Sequence, residues 1–238
     1  MRIQKLLNVI IIVALTLVCM TPLGVHAYGV SAECYDDTTA TIHANGVTVP
    51  GVTFYGGTST FPERAYTAYD YSTGGFVVNS LWNAHSDGLY WEEIGFGRGW
   101  HGQDINHFYW AYNHPVNGYF EMKINKNPEG VGTSHTYSIY PLHLEGYQHF
   151  WYVRVDSFNT YVGMPDLYTS DYLCTGGEMT SSQSTFSSTT SSSLQYYTSR
   201  NQGGATNWPN DNNKTFCVSK TPLNWSWVSY PTSGSAWK

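Results

Sequence analysis

Short runs of β-favouring residues recur along this chain at close intervals, and no stretch with a helical period interrupts them after the first 27 residues. Gly75 to Trp82, Leu89 to Phe96, His107 to Tyr112, Tyr119 to Ile124, His135 to Tyr140 and His149 to Val155 all read as strands. Turn-forming clusters separate them, at Asn83 to Gly88, Asn113 to Gly118 and Asn125 to Gly132. Further strands are predicted at Tyr172 to Thr180, Leu194 to Ser199, Thr215 to Ser219 and Trp225 to Tyr230. This rhythm predicts an all-β chain. About ten strands with short connections form two stacked antiparallel sheets, a jelly-roll-like β-sandwich. Ser181 to Ser193 holds eleven Ser or Thr among thirteen residues. Because Leu194-Gln195-Tyr196-Tyr197 resumes strand character directly, a Ser/Thr-faced strand is as good a reading of it as a flexible linker.

The first residues form a basic start at Arg2 and Lys5, an apolar run from Leu6 to Met20, and Val25-His26-Ala27. That order is a signal peptide over 1–27, with cleavage after Ala27. The apolar run is shorter than the roughly 20 residues a membrane span needs. A 211-residue mature chain, 28–238, then fits one β-sandwich domain, secreted and free of the membrane, with a monomer as the expected state. Loss of Arg2 and Lys5 lowers the basic count from 11 to 9 against 17 acidic residues, a formal charge of −8. Such a balance argues against nucleic acid as a partner.

Three cysteines remain after cleavage: Cys34, Cys174 and Cys217. An oxidising compartment favours one disulfide and one thiol, with Cys174–Cys217 the preferred pair and Cys34 left over. Several chemistries lack their motifs. The chain has no Gly-x-Ser-x-Gly elbow, no His-Glu-x-x-His helix and no phosphate loop. Its nine histidines include seven between His85 and His149, but His101, His107 and His114 are not spaced as a ligand set. No metal is expected.

Two segments stand out. In Leu89-Tyr90-Trp91-Glu92-Glu93-Ile94-Gly95-Phe96, strand alternation puts Trp91, Glu93 and Gly95 on one face and Glu92 and Ile94 on the other. A carboxylate among strand aromatics is costly to bury unless it is paired, hydrogen-bonded or protonated, so one of the two glutamates should face a cleft. In Gly176-Gly177-Glu178-Met179, a lone glutamate follows two glycines that allow close approach. Two such glutamates suit a two-carboxylate hydrolase, one as base and one as acid. The plainer reading is that they are solvated on a wet sheet face.

Trp91-Glu92-Glu93-Ile94-Gly95-Phe96, the aromatic run His107-Phe108-Tyr109-Trp110-Ala111-Tyr112, and Gly176-Gly177-Glu178-Met179-Thr180-Ser181-Ser182-Gln183 together resemble, in pattern and order, the neprosin-like glutamic peptidases. The fungal glutamic peptidases are similar in outline but carry Gln at the first position. The resemblance implies a β-sandwich that cleaves peptide bonds at acid pH without metal or cofactor, with Glu93 and Glu178 as the catalytic pair. It also implies Trp91 and Trp110 as cleft walls that bind a polypeptide substrate. Neighbouring Glu92 leaves the first assignment open by one residue. Two alternatives stand beside this one: a two-glutamate glycoside hydrolase, and a non-catalytic carbohydrate-binding or surface sandwich with a glycan partner.

Overall fold

A computed structural model describes residues 42–48, 55–84, 90–142, 150–162, 172–208, 223–229 and 232–238. The expected signal peptide, Cys34, Cys217 and the strand expected at Thr215 to Ser219 lie outside these residues. So the expected Cys174–Cys217 pair has only Cys174 among the described residues.

The described chain is nearly all β, with fourteen strands and a single 3₁₀ turn at Tyr71–Thr73. A six-stranded antiparallel sheet has the order β1-β10-β3-β4-β5-β6, where β1 is Ile42–Thr48, β3 Val77–Ala84, β4 Trp91–Trp100, β5 Gln103–His114, β6 Gly118–Lys123 and β10 Tyr172–Met179. The second sheet has the order β13-β14-β11-β2-β7-β8-β9. Its strands are β2 Gly57–Pro62, β7 Ser134–Leu142, β8 Phe150–Val155, β9 Phe158–Val162, β11 Thr189–Ser199, β13 Asn224–Ser229 and β14 Ser233–Trp237, and β12 Gly203–Asn207 pairs with β11 off this path. The two antiparallel sheets stack as the sandwich expected from the sequence.

Strand alternation decides what enters the space between the sheets. Leu81, Ile94, Phe96, Phe108 and Trp110 of the first sheet meet Phe61, Tyr137, Ile139, Trp151 and Val153 of the second in one buried cluster. Phe61 and Tyr137 stack at 3.7 Å between ring centroids. At about 25 cal/mol per Å² of apolar surface removed from water, this layer supplies the main favourable term of folding. The Ser/Thr-rich stretch divides in two: its first part is a turn region, and its second opens β11, where Thr189 and Ser191 are fully buried. Ser191 Oγ accepts from Thr175 at 3.0 Å, so these hydroxyls cross-link the sheets rather than form a linker.

A smaller cluster lies on the other side of the six-stranded sheet. Val78, Ala84, Trp91, Tyr109 and Ala111 form it, with Phe76, Trp100 and Tyr119 packed against it. These are the residues that alternate with the inter-sheet core, and the candidate site is built on this outer face.

Candidate active site

Residues directly opposite one another in an antiparallel sheet point to the same side, so the register lays out the outer face in rows. One row runs Glu178, Val78, Gly97, His107. The next runs Gly176, Ser80, Gly95, Tyr109, Lys123. The third runs Cys174, Trp82, Glu93, Ala111, Glu121. Glu93 and Glu178 therefore share a face, and both line a cavity of about 270 Å³. Phe76, Trp100 and Tyr119 supply its aromatic surface, and Glu121 and His107 also reach it.

Glu93 is 5% exposed. The Tyr109 hydroxyl donates to its Oε1, and side-chain hydrogen bonds from Ser80 and Trp82 reach the same carboxyl. Burial pushes its pKa up to about 7, and the three hydrogen bonds pull in the opposite direction. Glu178 is 3% exposed, and burial holds its pKa well above the usual carboxyl range, with the charges of Glu93 and Glu121 adding to the rise. The partly exposed Glu121 is pushed up to about 7, first by burial, against a Tyr119 hydrogen bond and with Glu93 adding repulsion. His107, nearly buried beside them, is lowered to about 4 because burial disfavours its charged form. The face thus holds three carboxyl groups that resist losing all their protons together, and a histidine that is neutral at pH 7.

Small residues make this arrangement possible. A Cβ on Gly95 would stand 2.4 Å from Ser80 Oγ and 2.9 Å from Tyr109 Cε1, so Gly95 is the gap across which Tyr109 reaches Ser80 and Glu93. The Gly-Gly before Glu178 has two separate causes. Gly176 adopts φ 150°, which side-chain-bearing residues avoid, and a Cβ on Gly177 would meet the Phe186 ring at 2.6 Å on the core side. The close approach expected at this pair is therefore made by Phe186.

Glu92 points the other way, between the sheets. It is fully buried and accepts from Asn83 Nδ2 at 2.6 Å, and burial raises its pKa to about 8. Of the two glutamates left open by the sequence, Glu93 is the one that faces the cavity. Trp91 shares that face but lies beneath the site, 2% exposed, with its ring 5.7 Å from Tyr119. Trp110 requires a correction. It is paired with Ile94 and sits in the inter-sheet core beside Tyr112, so it forms no wall of the cavity. One residue of offset in β5 separates it from Tyr109, whose side chain does line the cavity.

Sequence reading missed Glu121, Tyr109 and Trp100. Glu121 carried a signal, since Tyr119-Phe120-Glu121-Met122 is a strand with a carboxylate flanked by apolar residues, as is β4. Elsewhere, Glu129, His135 and Asp156 lie close enough together to hold a metal ion. Those groups have partners within the protein. Lys126 bridges Glu129 and lies 3.7 Å from Asp156, while His135 contacts Asp156 at 2.6 Å and Glu63 at 3.0 Å.

A sandwich with paired buried carboxyls in a cavity on the outer face of one sheet is the architecture that results. The sequence matches no protein-family model, and no curated protein sequence is significantly similar to it. Solved structures do match. The chain is similar to scytalido-glutamic peptidase bound to a transition-state analog inhibitor, with a TM-score of 0.56 and 9% identity over 83% of this chain and 98% of that one. A second structure of that peptidase, with a peptide-based transition-state analog, matches with a TM-score of 0.52 at the same identity and coverage. The likeness is one of fold: the two-sheet sandwich is similar to that of scytalido-glutamic peptidase.

Proposed function

We propose that the chain is a secreted glutamic endopeptidase in which Glu93 and Glu178 act on one water molecule and one peptide bond. The observation that carries this reading is the convergence of two nearly buried carboxyls, in unlike surroundings, on a single cavity. The fold shared with scytalido-glutamic peptidase supports it, as does the peptide-based analog held by that enzyme.

Role assignment follows from the surroundings. Three hydrogen bonds favour the ionised form of Glu93, and desolvation with two neighbouring carboxyls favours the protonated form of Glu178. Glu93 then takes a proton from the attacking water. Glu178 donates a hydrogen bond to the carbonyl oxygen as charge develops there, and its proton goes on to the leaving amine. Water supplies the hydroxyl that bonds to the carbonyl carbon, and the C–N electron pair leaves with the amine. No metal or organic cofactor enters these steps. The substrate is a polypeptide, and the enzyme, released after cleavage at Ala27, works as a monomer without membrane or nucleic-acid partners.

Only the singly protonated pair is active. Below the pKa of Glu93 the base is protonated and the rate falls tenfold per pH unit. The resemblance implies an acid optimum, whereas a Glu93 base pushed up to about 7 by burial puts the acid limb near neutrality, and the pH profile decides between the two. A glycan-directed reading would draw instead on Glu93 and Glu121, a second carboxyl pair across Ala111. Assay of the mature protein on denatured protein substrates from pH 2 to 9, beside a polysaccharide panel, separates these readings. Peptide cleavage alone supports the proposal, glycan cleavage alone supports the hydrolase alternative, and neither supports a binding module.

A further inference from the structure

Glu93 would be a poor base if it were merely buried. An isolated carboxylate in an apolar setting stays protonated, and its side chain can turn away from the reacting water. What opposes both most strongly is a contact made from the next strand. Tyr109 is directly opposite Gly95, not Glu93. Its ring lies across the bare α-carbon of Gly95, and its hydroxyl reaches diagonally to donate to Glu93 Oε1. Ser80, on the other side of Gly95, contacts the same hydroxyl. Tyr109 is 2% exposed and Ser80 fully buried, so water does not compete for these bonds.

We propose that Tyr109 is a positioning residue that, braced by Ser80 across Gly95, fixes the Glu93 carboxylate in place and selects it over Glu178 as the base. This rests on the peptidase reading for its consequence in catalysis, but its physical content concerns Glu93 alone. It also gives the spacing Glu93-x-Gly95 a cause: the carboxylate and the gap that admits its tyrosine must be two residues apart, on one strand face. A side chain at position 95 would meet the tyrosine ring and the serine hydroxyl.

The other titratable groups facing this contact would not replace it. Glu178 arrives from β10 and Glu121 from β6, and both repel a charge on Glu93. His107, two residues before Tyr109 on β5, is neutral at pH 7. Tyr119 on β6 bonds to Glu121, and Lys123, opposite Tyr109, is exposed. Tyr109 is thus the first of three donors to Glu93, and its loss leaves only Ser80 and Trp82 to offset the neighbouring carboxyls.

The test is Tyr109→Phe, which keeps the ring over Gly95 and removes only the hydroxyl. Glu93 is followed by ¹³C-carboxyl NMR titration of the full mature protein without substrate, and the acid limb of kcat/KM is measured in parallel. Loss of a hydrogen bond to a charged group should move the Glu93 midpoint and the acid limb upward together, by about one pH unit or more. Ser80→Ala should move both the same way by less, and it serves as the probe if the phenylalanine variant does not fold. A midpoint unchanged or lowered in a folded variant overturns the proposal, even if activity is lost. If the unmutated protein cleaves no peptide, the peptidase reading fails, and the NMR midpoint still decides whether Tyr109 holds Glu93.

Discussion

Glu93 and Glu121 stand two strands apart in one row of the sheet, and only the methyl group of Ala111 lies between them. A charge on Glu93 raises the pKa of Glu121, and like charges so placed repel one another. The third carboxyl, Glu178, comes from the opposite flank of the cavity, and both Glu93 and Glu121 contribute to its rise.

Glu121→Gln should therefore lower the acid limb of kcat/KM, because Glu93 then ionises without a like charge nearby. The expected shift is a few tenths of a unit to about one unit downward. The direction is opposite to that expected for Tyr109→Phe. A pH profile of each variant on one peptide substrate separates repulsion from hydrogen bonding. An unmoved limb in Glu121→Gln would mean that Glu121 does not act on Glu93.

Stability should fall as pH rises through neutrality. Glu92, Glu93, Glu121 and Glu178 all have raised pKa values in the fold, so the native state holds protons that the unfolded chain releases near pH 4.5. Their contribution is full below that pH and is lost as pH climbs toward and through about 7 to 8. His107 works the other way between its unfolded value of 6.5 and about 4, so its opposing effect fades across the window from pH 6.5 to 8 and the carboxyl effect dominates there. Tm measured across that window should drop. Glu92→Gln, which removes a buried carboxyl away from the cavity, should flatten the slope. A Tm that rises with pH there would contradict the burial of these groups.

The two tryptophans nearest the motifs should separate in a binding-and-stability comparison. Trp110→Ala opens the inter-sheet core and should cost about 3–5 kcal/mol of folding stability. Trp100→Ala removes a wall of the cavity, with a smaller stability loss, and should lower kcat/KM roughly tenfold. Denaturant unfolding and steady-state kinetics on both variants check this. A kinetic defect confined to Trp110→Ala would place the substrate elsewhere.

The strand rhythm was readable because turn residues bound most strands, and because alternation at Trp91, Glu93 and Gly95 survives in the fold. Parity alone also put Glu92 on the far face. Trp110 misled for the same physical reason: an aromatic run such as Phe108-Tyr109-Trp110 presents alternate rings to opposite sides, and composition does not say which side is the core. β1, β2, β9, β12 and β14 escaped notice, since Gly57-Thr58-Ser59-Thr60 and Ser233-Gly234-Ser235 look like turns until a neighbouring strand supplies their hydrogen bonds. Glu121 needed the register, because only pairing through Ala111 brings β6 beside Glu93.

The central claim is that Glu93 and Glu178 both move protons, and the direct measurement is the hydrolysis rate of Glu93→Gln and Glu178→Gln at the optimum of the unmutated enzyme. Each amide keeps the shape of the carboxyl and removes its titration, so each variant should remain folded and lose about 10²- to 10⁴-fold in rate. Glu92→Gln, whose side chain lies between the sheets, should retain most of the activity. A twofold change or less in either Glu93→Gln or Glu178→Gln would contradict the account.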